Sequence, residues 1–210
     1  MADLEQLTAA VEAGNRKTAT SLTTEALAEG VAPQAILDAM TSAMGSVGAR
    51  FSAGDIFVPE MLIAARAMKE AMLVLEPSLV GAGVQPVATA VIGTVEGDLH
   101  DIGKNLVAMM WKGANIAVVD LGVNVSPQAF VDAVTEHKPV VVGLSALLTT
   151  TMPMMKTTID ALRASGSSVK IVIGGAPITP EYAEQIHADG YAPDAGSAAA
   201  LIRDFLEVPA

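Results

Sequence analysis

An aspartate and a histidine two residues apart are the first side chains in this sequence that could do chemistry together. Asp98 and His100 lie in the stretch EGDLHDIGKN, between Gly97 and Gly103 and directly after an apolar run. A carboxylate at this spacing can accept a hydrogen bond from one imidazole nitrogen, so that the other nitrogen points outward as a ligand or base. The glycines leave room for a bulky group near the backbone. The pair alone is more typical of an N-capping aspartate followed by a surface histidine.

Several common kinds of site are not supported by the sequence. The chain has no cysteine, and its other histidines, His137 and His187, fall on predicted helices with no spacing relation to His100. A protein-only zinc site, which takes three or four protein ligands, is therefore not expected. The segment IGTVEGD lacks the glycine pattern of a dinucleotide site, and Ser145 in GLSAL lacks the second glycine of a serine hydrolase. What remains is a single imidazole available to a ligand large enough to touch several loops.

The composition limits the function further. The chain has 210 residues and a net charge of -11, which argues against the basic surface that nucleic-acid binding requires. Its apolar runs are shorter than the 18 or so residues of a membrane span, and the N-terminus lacks a basic segment followed by an apolar core. We therefore expect a cytoplasmic protein.

The elements that must position Asp98 and His100 fall into two parts. Residues 1–80 have helical periodicity, interrupted at Gly14, at Gly30 and in the loop 51–58, which predicts a four-helix bundle. The segment EPSLVGAGVQP, which begins at Glu76, has the proline and glycine content of a linker, and we place the linker itself at residues 81–86.

Residues 87–210 alternate apolar strands with helices, which predicts a doubly wound, Rossmann-like (flavodoxin-like) α/β domain with a parallel five-stranded sheet. Strands are predicted at residues 87–95, 116–121, 140–144 and 169–173, with a weaker one near Tyr191, and helices at residues 102–111, 127–137, 151–164, 180–188 and 197–206. Ligands of such sheets bind outside the carboxyl ends of the strands. The pair Asp98 and His100 follows the first strand, Ser145 the third, and Gly174 with Gly175 the fourth. The loop after the second strand, residues 122–126, lacks an obvious reactive group.

Three short motifs in register resemble those of the cobalamin-binding proteins. D-x-H-x-x-G (residues 98–103) is followed after 41 residues by S-x-L (residues 145–147) and after a further 26 by G-G (residues 174–175). The flanking GDLHDIGKN resembles the methyl-transferring branch of that family. FSAGDIFVPEMLIAARAMKEAM (residues 51–72) is similar to the last helix of the cap in methionine synthase and in small corrinoid proteins. With no room in 210 residues for a catalytic barrel or a reactivation domain, we expect a free-standing carrier.

The resemblance implies roles for individual residues. His100 would be the lower axial ligand of the cobalt through Nε2, Asp98 would accept a hydrogen bond from its Nδ1, and Thr151 stands where methionine synthase has the serine of this relay. Ser145 and Thr149 would hold the displaced nucleotide tail of the cofactor, which Gly174 and Gly175 let pass. The remaining residues expected to contact the cofactor are Gly97, Leu99, Asp101, Ile102, Gly103 and Leu147, with Phe57 and Met61 from the cap. Phe57 could equally be bundle core.

The function that the resemblance implies is methyl transport on cobalamin, which would cycle between methylcobalamin and cob(I)alamin. A substrate-specific methyltransferase would load the methyl group from methanol, a methylamine, a betaine or a methoxylated aromatic compound. An acceptor methyltransferase would pass it to a thiol or tetrahydrofolate, and a separate reductive activator would maintain the corrinoid. The alternatives are a subunit of an adenosylcobalamin-dependent mutase, a cobalamin-dependent sensor, and an α/β domain without a cofactor. Neither nucleic acid nor a membrane is expected as a partner.

Overall fold

The computed structural model of the chain describes residues 3–206 and divides into two compact units. The main boundary lies between Pro86 and Val87, and the short segment Gly113–Asn115 groups with the first unit. The last four residues of the predicted second domain, 207–210, lie outside the described residues. Within the described part of the chain, no helix has both the length and the apolar character needed to cross a membrane.

The first unit is a bundle of four helices: α1 (Leu4–Glu12), α2 (Arg16–Ala28), α3 (Pro33–Ala53) and α4 (Val58–Gly81). Side-chain oxygens of Asp3 and Asn15 accept from free backbone amides at the starts of α1 and α2, and Gly54 ends α3 in a left-handed conformation. Helix α1 packs against α2 and α3, and so does α4. The helical prediction is confirmed.

The second unit alternates strands and helices. Its elements are β1 (Ala88–Thr94), α5 (Ile102–Gly113), β2 (Ile116–Asp120), α6 (Pro127–His137), β3 (Val141–Ser145), α7 (Met152–Ala164), β4 (Lys170–Gly174), α8 (Pro180–Gln185), β5 (Gly190–Tyr191) and α9 (Ala195–Leu206). All neighbouring strands are parallel, in the order β2-β1-β3-β4-β5. This order is that of flavodoxin-like folds, so the predicted fold class is confirmed.

The register of the sheet explains why distant residues can form one site. Thr94 pairs with Ser145, and Ser145 with Gly174, so β1, β3 and β4 end at the same level. The connections of β1 and β3 leave the sheet in opposite directions, which makes this edge the topological switch point where such folds bind their ligands. The predicted site residues of the second unit follow these strand ends.

One helix runs through sequence of linker composition, and another is shorter than predicted. Helix α4 continues to Gly81 with Pro77 inside it, although the sequence from Glu76 onward has linker composition. Leu75 and Leu79 are both buried, and their packing keeps this last turn helical despite the backbone hydrogen bond that proline cannot donate. Helix α8 ends at Gln185 rather than at residue 188, because His187 adopts a left-handed backbone with φ 59°.

Candidate functional site

The centre of the site is the carboxylate of Asp98, which is fully buried. Its Oδ1 accepts from the backbone N–H of His100 at 3.0 Å and lies 2.7 Å from His100 Nδ1. Its Oδ2 accepts from the backbone N–H groups of Leu147 and Leu148, at 2.8 and 3.2 Å, and from the Thr151 hydroxyl at 2.7 Å. Since a carboxylate offers about four lone-pair positions, these five contacts saturate it. The loops after β1 and β3 are thereby tied together at the switch point.

The hydrogen bonds also decide the charge of Asp98. Burial raises the pKa of its carboxyl group, but the hydrogen bonds from the Thr151 hydroxyl and from the backbone amides of His100 and Leu147 lower it by more in total. The resulting pKa lies far below the ordinary value of 3.8. Asp98 is therefore an anion at neutral pH.

The imidazole of His100 is oriented by this anion. With Asp98 ionised, Nδ1 carries the proton and donates it to Oδ1, which leaves a lone pair on Nε2. The side chain is 49% exposed, whereas that of Asp98 is inaccessible. One nitrogen is thus fixed inside the protein and the other is free to ligate a group that approaches from outside.

Thr151 supplies the only hydroxyl donor among the contacts described for Asp98. Its Oγ1 lies 2.7 Å from Asp98 Oδ2 and 2.9 Å from the carbonyl oxygen of Leu148, but a hydroxyl has one proton to donate. The Leu148 carbonyl already accepts from the backbone N–H groups of Thr151 and Met152. The charged carboxylate is the stronger acceptor, so the hydroxyl donates to Asp98. The structure brings Asp98, His100 and Thr151 together as the sequence predicts.

Two polar residues that support the His100 turn were missed from the sequence. The hydroxyl of Thr94, which is fully buried at the end of β1, donates to the carbonyl oxygen of His100 at 2.9 Å. Asn124, in the loop after β2, accepts from the N–H of Gly97 at 2.8 Å through its side-chain Oδ1, and its backbone N–H donates to the carbonyl oxygen of Asp98 at 2.9 Å. The loop thought to lack useful groups is therefore part of the site. The available signal was an asparagine in a turn directly after a strand, where left-handed backbone is common.

Lys104 is a third residue that sequence reasoning missed. Its side chain is buried in the first turn of α5, four residues after His100, and Nζ lies 2.7 and 2.6 Å from the two carboxylate oxygens of Asp120 at the end of β2. It also donates to Asn105 Oδ1 at 2.7 Å. A buried ammonium needs such partners. The pair links the segment that follows His100 to the loop that carries Asn124.

Large apolar side chains border the imidazole and remain exposed. Leu99 is 71% exposed and Ile102 is 75% exposed, on either side of His100, and Leu147 and Leu148 stand exposed next to the amides that contact Asp98. Single exposed apolar residues are ordinary, but several around one oriented imidazole indicate a surface that a ligand covers. Leu99, Ile102 and Leu147 belong to the set predicted to contact the cofactor.

The other predicted residues of the α/β unit have more varied surroundings. Ser145 is half-buried at the end of β3, and Thr149 is exposed in the loop beyond it. A Cβ added to Gly103 would meet no atom within 4 Å, so the first turn of α5 is open on that side. The side chain of Asp101 accepts from the side-chain amide of Asn105 at 3.0 Å, within the turn that starts α5.

The two paired glycines have a structural reason of their own. A Cβ on Gly175, which has φ 133°, would overlap the carbonyl oxygen of Ala146, and one on Gly174 would lie 2.8 Å from the carbonyl oxygen of Ala192. The loop after β4 therefore passes very close to the backbone of its neighbours. That close approach requires glycine whether or not a cofactor tail also passes there.

The cap residues differ from each other in exposure. Phe57 precedes α4 in an extended conformation and is 68% exposed, so it is not bundle core. Met61, one turn into α4, is fully buried, as is Ala64. Met61 therefore has no free surface to offer a ligand, because the helix directs it to its packed side. Of the two cap residues predicted to contact the cofactor, only Phe57 is accessible.

These residues fit a corrinoid. Within residues 3–206, no group of three or more His, Asp or Glu side chains could hold a metal ion. A metal carried in a macrocycle needs only one protein ligand, and His100 is an outward-facing imidazole with a carboxylate behind it and apolar side chains beside it. The imidazole of His100 and the exposed apolar side chains around it therefore both suit a corrinoid.

Comparison with known proteins decides the family. Residues 88–200 match the family model of the B12 binding domain, and residues 3–76 match a second model of the same description. The chain belongs to the B12-binding protein family. This B12-binding protein is a corrinoid protein, and its cofactor is cobalamin.

The relatives of this corrinoid protein cover most of its length. It is 42% identical over 189 residues to trimethylamine corrinoid protein 2 of Methanosarcina mazei, which covers 88% of this chain and 87% of the relative. It is 37% identical over 179 residues to dimethylamine corrinoid protein 3 of Methanosarcina acetivorans, with 84% of each chain covered.

A solved cobalamin-binding protein from Desulfitobacterium hafniense matches it with a TM-score of 0.84 and 31% identity, over 98% of this chain and 99% of that one. The methanol:cobalamin methyltransferase complex MtaBC of Methanosarcina barkeri matches with a TM-score of 0.84 and 29% identity, over 97% of this chain and 79% of that one.

Proposed function

We propose that this corrinoid protein is the methyl carrier of a methylamine methyltransferase system. The observation that carries the proposal is the Asp98–His100 pair, whose outward Nε2 stands among exposed apolar side chains at the switch point of the sheet. The presence of both B12 binding domains supports a carrier with its cap rather than a mutase subunit, which usually lacks the cap.

The protein's part in methyl transfer would be to hold the corrinoid throughout and to offer His100 as a ligand that can be withdrawn. When bound, the cofactor supplies the cobalt atom on which the methyl group is carried. His100 Nε2 would be the lower ligand, Leu99, Ile102 and Leu147 would cover the adjacent apolar surface, and Ser145 and Thr149 would hold the nucleotide tail. These assignments rest on the positions of the residues around the strand ends and on the motifs that they belong to.

The hydrogen bond behind His100 would keep the imidazole oriented whether or not it ligates the metal. Nδ1 would keep its hydrogen bond to Asp98, which leaves the lone pair of Nε2 directed outward. Because the hydrogen bonds to Asp98 lower its pKa, the carboxylate would stay ionised and continue to accept from Nδ1. Thr151 helps to keep Asp98 in this state by donating to Oδ2.

The methyl donor is assigned from the relatives. Those named trimethylamine and dimethylamine corrinoid proteins are 37 to 42% identical to this chain over most of its length. We propose a methylamine as donor, a methylamine-specific methyltransferase as loading partner, and a second methyltransferase that delivers the methyl group to a thiol or tetrahydrofolate. A reductive activator would complete the system. Phe57 would shield the methyl-bearing side of the cofactor from water.

Loading experiments with defined partners test these assignments. The purified protein is reconstituted with hydroxocobalamin, desalted, reduced, and incubated with trimethylamine and a trimethylamine methyltransferase, while parallel reactions use dimethylamine or methanol with their own methyltransferases. We expect the visible spectrum to report methylation only in the methylamine reactions. Methylation from methanol alone would overturn the donor but leave the carrier role. Loss of all corrinoid on desalting would overturn the proposed function as a whole.

A further inference from the structure

Asn124 makes a double contact with the turn that carries His100. Its side-chain Oδ1 accepts from the N–H of Gly97 at 2.8 Å, and its backbone N–H donates to the carbonyl oxygen of Asp98 at 2.9 Å. Both contacts are made to the backbone just before the imidazole. The orientation of His100 depends on Asp98, so the residue that fixes the backbone of Asp98 also acts on His100.

The loop that carries Asn124 is itself held in place at several points. The N–H of Val125 donates to the carbonyl oxygen of Thr94, and the N–H of Thr94 donates to that of Gly122. Gly122 also donates to Asp120 Oδ1 at 2.9 Å, and Asp120 is fixed by its ion pair with the buried Lys104. Asn124 therefore offers its amide oxygen from a fixed position rather than from a mobile loop.

The turn needs such a support because of its own composition. Gly97 has φ 83° and can rotate more freely than any other residue type, and His100 is half exposed and so is little restrained by packing. Without an acceptor for the Gly97 N–H, the backbone before Asp98 would sample a wider range of dihedral angles. The imidazole would then spend less time in the orientation that suits a ligand.

We propose that Asn124 is a positioning residue that holds His100 ready to ligate the corrinoid; this rests on the proposed function, in which His100 is the lower ligand. Asparagine combines the two properties that the position requires. It tolerates the left-handed backbone seen there, with φ 53°, and its side chain carries an acceptor. Aspartate has both properties, and glycine has only the first.

Three variants separate these properties. Asn124→Gly keeps the left-handed backbone and removes the acceptor, and Asn124→Asp keeps both. Asn115→Gly is the matched control, because Asn115 has the same kind of backbone, with φ 60°, but precedes β2 at the opposite end of that strand. Glycine accepts this backbone readily, so N124G is expected to fold. If it does not, Asn124→Ala removes the same acceptor with some backbone strain.

The first measurement uses the protein without cofactor. We expect hydrogen exchange at the Gly97 amide to be about fivefold faster in N124G than in the wild type, since one hydrogen bond of ordinary strength is lost. It should stay unchanged in N124D and N115G. Unchanged exchange in N124G would overturn the proposal, whether or not the protein binds a corrinoid.

The second measurement uses the protein reconstituted with cobalamin. Imidazole ligation stabilises the more oxidised state of the cobalt, so a fivefold weaker preference for the ligated state raises the one-electron midpoint potential by about 40 mV. We expect this rise in N124G and not in N115G. The added negative charge of N124D can only lower the potential, so a rise in that variant would overturn the proposal. Equal shifts of the midpoint potential in N124G and N115G would also overturn the proposal, because they would indicate a general effect on stability. A wild-type protein that retains no corrinoid would contradict the proposed function instead.

Discussion

Replacing Thr151 with valine tests whether the hydroxyl hydrogen bond holds the buried carboxylate. The change preserves the shape of a side chain that is nearly fully buried, but it leaves Asp98 Oδ2 with only the amides of Leu147 and Leu148 as donors. Hydrogen bonds to charged groups contribute roughly 1.5–3 kcal/mol. We therefore expect T151V to lower the free energy of unfolding by about 2 kcal/mol, and the melting temperature by about 8 °C for a unit of this size.

The pH dependence of that loss gives a second check. Because the pKa of Asp98 is lowered in the folded protein, the ionised carboxylate contributes stability above its ordinary value of 3.8, and this contribution is lost as the pH falls below that value. The hydroxyl contributes through the same ionised group. The stability difference between wild type and T151V should therefore be full at pH 7 and should narrow in acid, as measured by urea denaturation of the protein without cofactor.

Two control variants make the experiment decisive. Thr151→Ser keeps the hydroxyl and loses only a methyl group, so its loss should be about 1 kcal/mol or less. Thr150→Val removes a hydroxyl from an exposed neighbour and should change stability by no more than about 0.5 kcal/mol. If T151S lost as much stability as T151V, the expectation that the hydroxyl outweighs the methyl group would be refuted, because serine keeps the hydroxyl and valine keeps the methyl group. If T151V were as stable as the wild type, the reasoning about the saturated carboxylate would be refuted.

Three further predictions concern other parts of the site. His100→Ala should shift the absorbance spectrum of the bound corrinoid towards a form without a lower nitrogen ligand, and an unchanged spectrum would show that His100 is not that ligand. Phe57→Ala should leave the melting temperature almost unchanged, because the side chain is 68% exposed, but should accelerate loss of the methyl group under light; equal rates would exclude shielding by Phe57. Gly175→Ala should lower the free energy of unfolding by at least about 3 kcal/mol in urea denaturation, because a Cβ overlaps the Ala146 carbonyl and the backbone conformation is restricted to glycine; wild-type stability would contradict this.

The sequence predicted those features that follow from apolar periodicity and strand order. Four apolar strands and a weaker fifth, separated by helices, indicate a parallel sheet, and parallel strands bring their carboxyl ends to one edge. Asp98 and Thr151 are 53 positions apart, yet they meet because each follows the end of one of two neighbouring strands. The Asp-x-His spacing was short enough to predict a contact between carboxylate and imidazole, beside the alternative of a capping aspartate.

The features that were missed depend on conformations that periodicity does not encode. Asn124 reaches Gly97 only because β2 lies beside β1 and because its own backbone is left-handed. The contrast between Phe57 and Met61 is of the same kind. Phe57 stands just before α4 in an extended conformation and does not share the period of the helix, whereas Met61 does and is buried by it. Helical spacing therefore could not place the two on one surface.

The site combines a fixed carboxylate, Asp98, with a movable imidazole, His100. This combination suits a metal ligand that must bind and dissociate reversibly. Asp98 is held by loops on both sides of the switch point, with its carboxylate saturated and its backbone bonded to Asn124. His100 is half exposed on an irregular turn, and its side chain is held mainly by the hydrogen bond at Nδ1. If the protein is the proposed methyl carrier, the imidazole could move away from the metal without breaking the network around Asp98. Because Asp98 would stay ionised throughout, His100 could return to the same orientation in each cycle.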